Sequence, residues 1–323
     1  MAVFLLLTAM HTSRAFSHTN GMNILMPYKT RTDVLRTAKA VLEAHGHSCT
    51  LYPFESAAKT EEKVRQTPFD TVLVTEGAAL AGVSESIRTI YLSGEFYCPE
   101  RRIPSVRICL IAHNDLSFDF ITHGARDTSV RVCGIPLRES YRRVLPQAEC
   151  RRALGLREDR PIFLMIGETV PVSVLKSAAK SVRDLCPQAQ SILLGSSEAR
   201  RKNWMSVFAD DPDVFVSDTD MDLPLALCAS DAVLTPALSA FVCAAARMNK
   251  IVTLLHSTVP RARKNAEFLD THSAAFRGRT AADSVSYACR LLESDRLHAN
   301  MTAAQEKTIL SDAEERLIHA VEA

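Results

Sequence analysis

The sequence predicts an α/β protein of two parallel-sheet domains facing a cleft, and two observations carry that expectation. First, from Met22 onward, short apolar runs of strand length alternate with amphipathic segments of helix length through both halves of the chain. Strands that alternate with helices form parallel sheets, because each connection must cross back over the sheet before the next strand is laid down. Second, a chain of 323 residues exceeds one ordinary core and suits two domains of about 150 residues each.

In the first half the strand candidates are Asn23–Pro27, Cys49–Phe54, Thr71–Thr75, Val106–Ala112 and Val130–Cys133. Between the first two, Thr32–Ala44 carries apolar residues at helical spacing, and Gly46 is placed to end that helix. The second half repeats the rhythm with strands at Ile162–Ile166, Ser191–Leu194, Val214–Ser217, Ala232–Thr235 and Ile251–Leu255. Helices are expected at Val172–Leu185, Leu223–Ala229 and Ser239–Met248, and a final amphipathic helix at Thr302–Glu322 is expected to cross back to the first domain. Only about 30 residues separate Glu76 from Val106, a stretch in which no strand candidate stands out, so the first half reads as shortened there. The expected division is an N-terminal Rossmann-like domain over residues 1–141 and a C-terminal one over residues 142–323. Residues 1–21 read as an extension: Ala2 to Met10 is apolar but far short of the about 20 residues that span a bilayer, and no basic residue precedes it.

Composition narrows the class. The chain is 47% apolar and 23% charged, as soluble globular proteins are, and its net charge of +1 gives no global attraction to nucleic acid or to an anionic membrane. Nucleic acid is therefore not an expected partner. The nine cysteines are scattered without CxxC spacing, which speaks for buried free thiols in a reducing cytoplasm and against a zinc or disulfide framework.

The order GIPL, RRALGLREDRPIFLMIGE, LALCASDAVLTPALSAFVCAAARMNKIV and RKNAEFL (from Gly134 to Leu269) resembles the monogalactosyldiacylglycerol synthase and processive diacylglycerol glucosyltransferase family. The resemblance implies GT-B architecture, with an acceptor-side domain, a nucleotide-sugar-side domain and a cleft between them. It further implies hexosyl transfer from a nucleotide sugar, such as a UDP-sugar, to a lipid or other hydroxyl acceptor. By the same resemblance no metal or cofactor is expected to take part, and the enzyme is expected in the cytoplasm, at most peripheral to a membrane that holds a diacylglycerol-type lipid.

The same resemblance points to site residues. The loop Pro236, Ala237, Leu238 and Ser239 stands where the family has a P-G-G loop heading a helix, where free amides and the helix dipole favour a diphosphate. Both family glycines are replaced, and the same loop also reads as a buried strand-to-helix turn. Cys243 stands at the glutamate of the family's S-E-A, Arg261 at a family glutamine, and Asn265 at the family asparagine of N-A-x-x-L. Arg261, Arg263 and Lys264 make PRARK basic enough to meet a diphosphate, or simply to be a solvated helix start. Gly167 is the lone glycine of the first loop of the second domain, with Glu168 beside it. Val34 occupies the place of the family's histidine base, which leaves Asp33 as candidate catalytic base or as a residue of the first helical turn. Glu95, His113, Asn114 and Asp115 are further polar residues on the acceptor side, the Asn-Asp pair after a strand being more often a plain helix cap. The arginines of Arg126–Arg152 suit either a membrane-facing patch or an ordinary surface.

Two function classes follow: an active glycosyltransferase of reduced turnover, or a catalytically inactive GT-B relative that binds or regulates. An epimerase would ask for paired carboxylates and a phosphate clamp in the cleft, of which only the basic run is visible in sequence.

Overall fold

The computed structural model describes residues 21–30, 32–141, 145–195, 197–216 and 223–323. Apart from Gly21, the N-terminal extension lies outside these residues, as do Ser217 of one expected strand and residues 142–144 at the expected domain boundary.

The first half holds β1 (Asn23–Tyr28), α1 (Asp33–Ala44), β2 (Ser48–Pro53), α2 (Ala57–Gln66), β3 (Thr71–Val74), β4 (Arg88–Leu92), β5 (Ile108–Ile111), α3 (Ser117–Thr122) and β6 (Val130–Val132). They form one six-stranded sheet, β2-β1-β3-β4-β5-β6, parallel throughout. The second half begins with α4 (Gln147–Ala153), β7 (Ile162–Ile166), α5 (Val172–Leu185), β8 (Gln190–Leu194), α6 (Glu198–Val207), β9 (Val214–Val216), α7 (Leu223–Ala229) and β10 (Ala232–Thr235). It continues with α8 (Ser239–Arg247), β11 (Ile251–Leu254), α9 (Pro260–Thr271), β12 (Phe276–Arg277), α10 (Ala281–Leu292), α11 (Asp295–Thr308) and α12 (Ala313–Glu322). Its six strands are also all parallel, in the order β12-β11-β10-β7-β8-β9.

The apolar runs of the inner strands β3, β7, β10 and β11 are buried on both faces, as parallel sheets covered by helices require. In β7, Ile162, Leu164 and Ile166 join the core shared with the first domain, while Phe163 and Met165 face the opposite cluster with Leu175, Val182 and Trp204. The two-residue alternation of a strand thus assigns each side chain of one apolar run to one of two cores. Helix α1 starts where Thr32 accepts a hydrogen bond from Leu35 N (3.2 Å), and it buries Val34, Leu35, Ala38 and Leu42 along one face.

Three expectations change. The stretch read as shortened carries a strand after all, β4, whose Ile90, Tyr91 and Leu92 are fully buried. A further two-residue strand, β12, adds to β11. The terminal amphipathic segment is two helices, α11 and α12, broken around Ile309–Asp312. The second of them does return to the first domain: the Arg88 guanidinium donates to the carbonyls of Ala320 and Val321 (2.5 Å each). Glu314 of α12 accepts from Leu137 N (2.6 Å) and pairs with Arg247 of α8 (3.0 Å), both side chains being buried, so α12 straps the two halves together.

All nine cysteines are free and buried. No helix among the described residues is long and apolar enough to cross a membrane.

Candidate functional site

In a doubly wound sheet the loops part at the carboxyl ends of the two strands where the winding reverses, and ligands bind in that crevice. The reversal falls between β1 and β3 in the first sheet and between β7 and β10 in the second. Loops leaving β1, β3, β4 and β10 close around one pocket of about 440 Å³ between the domains. The first domain contributes Thr30, Thr32, Asp33, Glu76, Gly94, Glu95 and Tyr97; the second contributes Leu238, Ser239, Ala240, Phe241 and Arg261. A larger recess, about 770 Å³, lies where β4 and β5 begin, against Ala323. Its lining comes from the first domain and the chain's last residue, without the loops of the second reversal point, so the interdomain pocket is the better candidate.

On the second-domain side, the turn after β10 is closed by Leu238 N donating to the Pro236 carbonyl (2.6 Å). Leu238 itself is extended (φ −82), and neither it nor Ala237 adopts positive φ, so the turn forms without the family's glycines. The amides of Phe241 and Val242 both donate to the Leu238 carbonyl (3.0 and 3.2 Å). Those of Ser239 and Ala240 donate to no acceptor among the described residues, and both residues line the pocket. Such unpaired amides at the start of a helix attract an anion. Arg261, about half exposed, reaches over the same space.

On the first-domain side, Glu95 follows β4. Its Oε2 accepts from Asn265 Nδ2 (2.6 Å), and Arg261 stands 3.9 Å from its Oε1. Burial pushes its carboxyl above the usual carboxylate range, against the lowering pull of Asn265 and Arg261. Asn265 is fully buried and bridges the domains: it accepts from Phe96 N (2.9 Å) and donates to the Ala237 carbonyl (3.0 Å). Beside it, the Ser239 hydroxyl donates to the Gly94 carbonyl (2.5 Å). A Cβ at Gly94 would come within 2.5 Å of Val34, so only glycine lets the β4 loop approach α1 this closely.

The residues expected from sequence separate into groups. Asp33, Leu238, Ser239 and Arg261 line the pocket, with Pro236 and Ala237 in the turn beneath. Asp33 opens α1, but Thr32 supplies the cap, and the Asp33 carboxylate is engaged by Arg36 and by Arg138 (3.2 Å). Asn265 braces the domains rather than facing open space. Cys243 is 1% exposed, and burial pushes its thiol up to about 12, so it faces the core and offers no contact to a ligand. Arg263 lines a separate recess with His256, Arg277 and Arg279. Gly167 lies under the Trp204 ring, where a Cβ would meet it at 2.4 Å; its neighbour Glu168 pairs with Arg200 (3.2 Å). The loop after β7 is thus committed to packing. Arg138 pairs with Asp33 and Arg152 with Glu158, while Arg151 is buried against Asp231 (2.7 Å); Arg142 and Arg143 lie outside the described residues.

Sequence reasoning missed Glu76 and Tyr97, and placed Glu95 only in general terms. Glu76 follows the carboxyl end of β3, and the signal for Glu95 and Tyr97 is the sequence just after β4, which ends at Leu92. It becomes visible only once RTIYL is recognised as a strand.

No protein-family profile matches the chain, and no curated protein sequence does either. Solved structures do. UDP-GlcNAc 2-epimerase from Neisseria meningitidis bound to UDP-GlcNAc is similar with a TM-score of 0.66 at 13% identity, over 93% of this chain and 100% of that one. HepE of Anabaena in complex with UDP-glucose is similar with a TM-score of 0.62 at 13% identity, covering 93% and 99%. MurG of Acinetobacter baumannii is similar with a TM-score of 0.64 at 10% identity, covering 94% and 99%. At these identities the likeness is one of fold. The chain has two Rossmann-like domains in the GT-B arrangement.

Proposed function

We propose that this chain binds a nucleoside-diphosphate sugar in the interdomain pocket and transfers its hexose to a hydroxyl acceptor. One observation carries the reading: the unpaired amides of Ser239 and Ala240 share a single pocket with Arg261 and with a partly buried carboxylate of raised pKa, Glu95. That is the division of labour glycosyl transfer needs. The helix start and the guanidinium neutralise the leaving diphosphate, so no metal is required for that charge. Glu95 accepts the proton of the acceptor hydroxyl as the sugar carbon is attacked. Its raised pKa makes it a stronger base than an ordinary exposed carboxylate. Asp33, held by two arginines, is the second proton acceptor within the pocket and is better suited to orienting a hydroxyl. The structural relatives crystallised with UDP or UDP-sugars support the donor class. A lipid acceptor of the diacylglycerol type rests on the sequence resemblance alone.

A second reading is favoured by one observation: Asp33, Glu76 and Glu95 share the pocket, supplying the paired carboxylates that epimerisation of a sugar nucleotide asks for. Incubation with UDP-glucose, UDP-galactose and UDP-GlcNAc, with and without a hydroxyl acceptor, separates the readings. Transfer releases UDP only with the acceptor, whereas epimerisation yields an isomeric UDP-sugar without one. UDP binding with neither product makes the chain a nucleotide-sugar binding protein.

A further inference from the structure

A second interdomain cluster lies outside the pocket and plays no part in the proposed transfer. His113 follows β5, and Asp115 sits two residues on, in the turn leading to α3; both belong to the first domain. His272 ends α9 of the second domain. Aromatic packing fixes both rings: the Phe268 ring stacks on His272 (4.0 Å between centroids) and on Phe96 (5.3 Å), and meets His113 edge-on (5.5 Å).

The hydrogen bonds set which ring nitrogens carry protons. His272 Nδ1 lies 2.8 Å from the Phe268 carbonyl, so Nδ1 is the donor and the lone pair of the neutral ring is on Nε2. That Nε2 lies 2.9 Å from Asp115 Oδ2, an acceptor facing an acceptor unless a proton or a metal ion joins them. His113 Nδ1 accepts from Asp115 N (3.2 Å), so its lone pair is turned toward Asp115, and it stands 3.8 Å from Asp115 Oδ2. The three atoms all lie within 4.8 Å of one another.

We propose that His113 Nδ1, Asp115 Oδ2 and His272 Nε2 form a binding site for one divalent transition-metal ion, Zn²⁺ first among them, which pins the two domains together. Bonds of about 2.0–2.1 Å in a tetrahedral zinc site leave ligand atoms roughly 3.3–3.5 Å apart, and the observed 2.9 and 3.8 Å bracket that separation. Two imidazoles and one carboxylate select zinc, cobalt, nickel or copper over magnesium and calcium, which prefer all-oxygen shells. The Asp115 side is open, its side chain being 60% exposed, which leaves a fourth position for water. To bind, the ion must displace the proton between His272 and Asp115 and take the His113 lone pair from the Asp115 amide. The ion would link the loop after β5 to the end of α9, a domain contact that otherwise depends on the ring stack and the His272–Asp115 hydrogen bond.

The test uses untagged full-length protein, stripped with EDTA and titrated with Zn²⁺ and with Co²⁺. Expected are one ion per chain, a melting temperature that rises with Zn²⁺ and returns with EDTA, and visible Co²⁺ absorption of a four-coordinate site. Mg²⁺ should do nothing. His272→Ala and, on the exposed side, Asp115→Ala should each weaken Zn²⁺ binding by more than the about 10- to 100-fold typical of outer-shell changes. Both variants keep all nine cysteines, as well as His11 and His18 near the N-terminus, so zinc held by those groups would survive the substitutions. No saturable binding, binding unchanged in the two variants, or a melting temperature indifferent to Zn²⁺ overturns the proposal.

Discussion

The two points of strand reversal face each other across one pocket, yet they are finished in opposite ways. In the first domain, the amides of Lys29 and Thr30 in the loop after β1 both donate to Glu76 Oε2 (3.0 Å each). A carboxylate of the chain itself occupies the place where such a loop would hold an anion. In the second domain, the amides of Ser239 and Ala240 are left open and Arg261 stands over them. The same topology therefore yields a closed, acidic wall on one side and an anion-seeking wall on the other. On the proposed reading, the nucleotide side is the one whose loop amides the protein has left unsatisfied.

The largest expected effect comes from the acidic wall. Glu95→Gln keeps an oxygen to accept from Asn265 but removes the base, so transfer should fall by about 10²- to 10⁴-fold with UDP affinity little changed. Steady-state rates beside a UDP titration check this; transfer within a few fold of the parent would move the base elsewhere.

Next is the self-occupied loop. Glu76→Ala frees the Lys29 and Thr30 amides to solvent and should cost about 1 kcal/mol of stability, measured by chemical denaturation, while leaving UDP binding on the opposite wall intact. A marked loss of UDP affinity would mean the nucleotide spans both walls.

A smaller effect concerns pH. An acid held above its ordinary value of 4.5 binds its proton more tightly in the folded chain than in the unfolded one. The stability Glu95 contributes is therefore full below 4.5 and is lost as the pH rises through the raised folded value. The parent should lose stability relative to Glu95→Gln on going from acid to neutral pH, and parallel melting curves for the two across that range would remove the raised carboxyl from the account.

The smallest change is expected from Asp33→Asn. Thr32 already caps α1, and Arg36 and Arg138 hold the Asp33 carboxylate, so melting temperature and UDP affinity should stay close to the parent's and transfer should drop far less than with Glu95→Gln. A drop as large as that of Glu95→Gln would make Asp33 the base.

Most of the fold was legible because parallel strands buried on both faces are written as uninterrupted apolar runs, as in IFLMI and AVLT. β4 escaped because RTIYL begins with an arginine and a threonine, its first apolar residue coming only at the third position. The break between α11 and α12 escaped because apolar spacing continues through Ile309 and Leu310, which pack even though the helix stops. The anion-seeking loop could be read, since a strand followed by a turn and a helix start is a local pattern. The opposite wall could not. Asn265 and Glu95 are 170 positions apart, and nothing near either residue says that one will hold the other. The sequence also offered Cys243 at a ligand position, and only the packing of α8 shows that its side chain faces the core.

The central claim is that the start of α8 and Arg261 hold a nucleoside diphosphate. Calorimetric titration of UDP into the parent and into Arg261→Ala tests it most directly. The account predicts one UDP per chain, and an affinity about 10- to 100-fold weaker in the variant, as expected for loss of a charge-assisted hydrogen bond of about 1.5–3 kcal/mol. No binding to the parent, or equal affinity in both proteins, would contradict it.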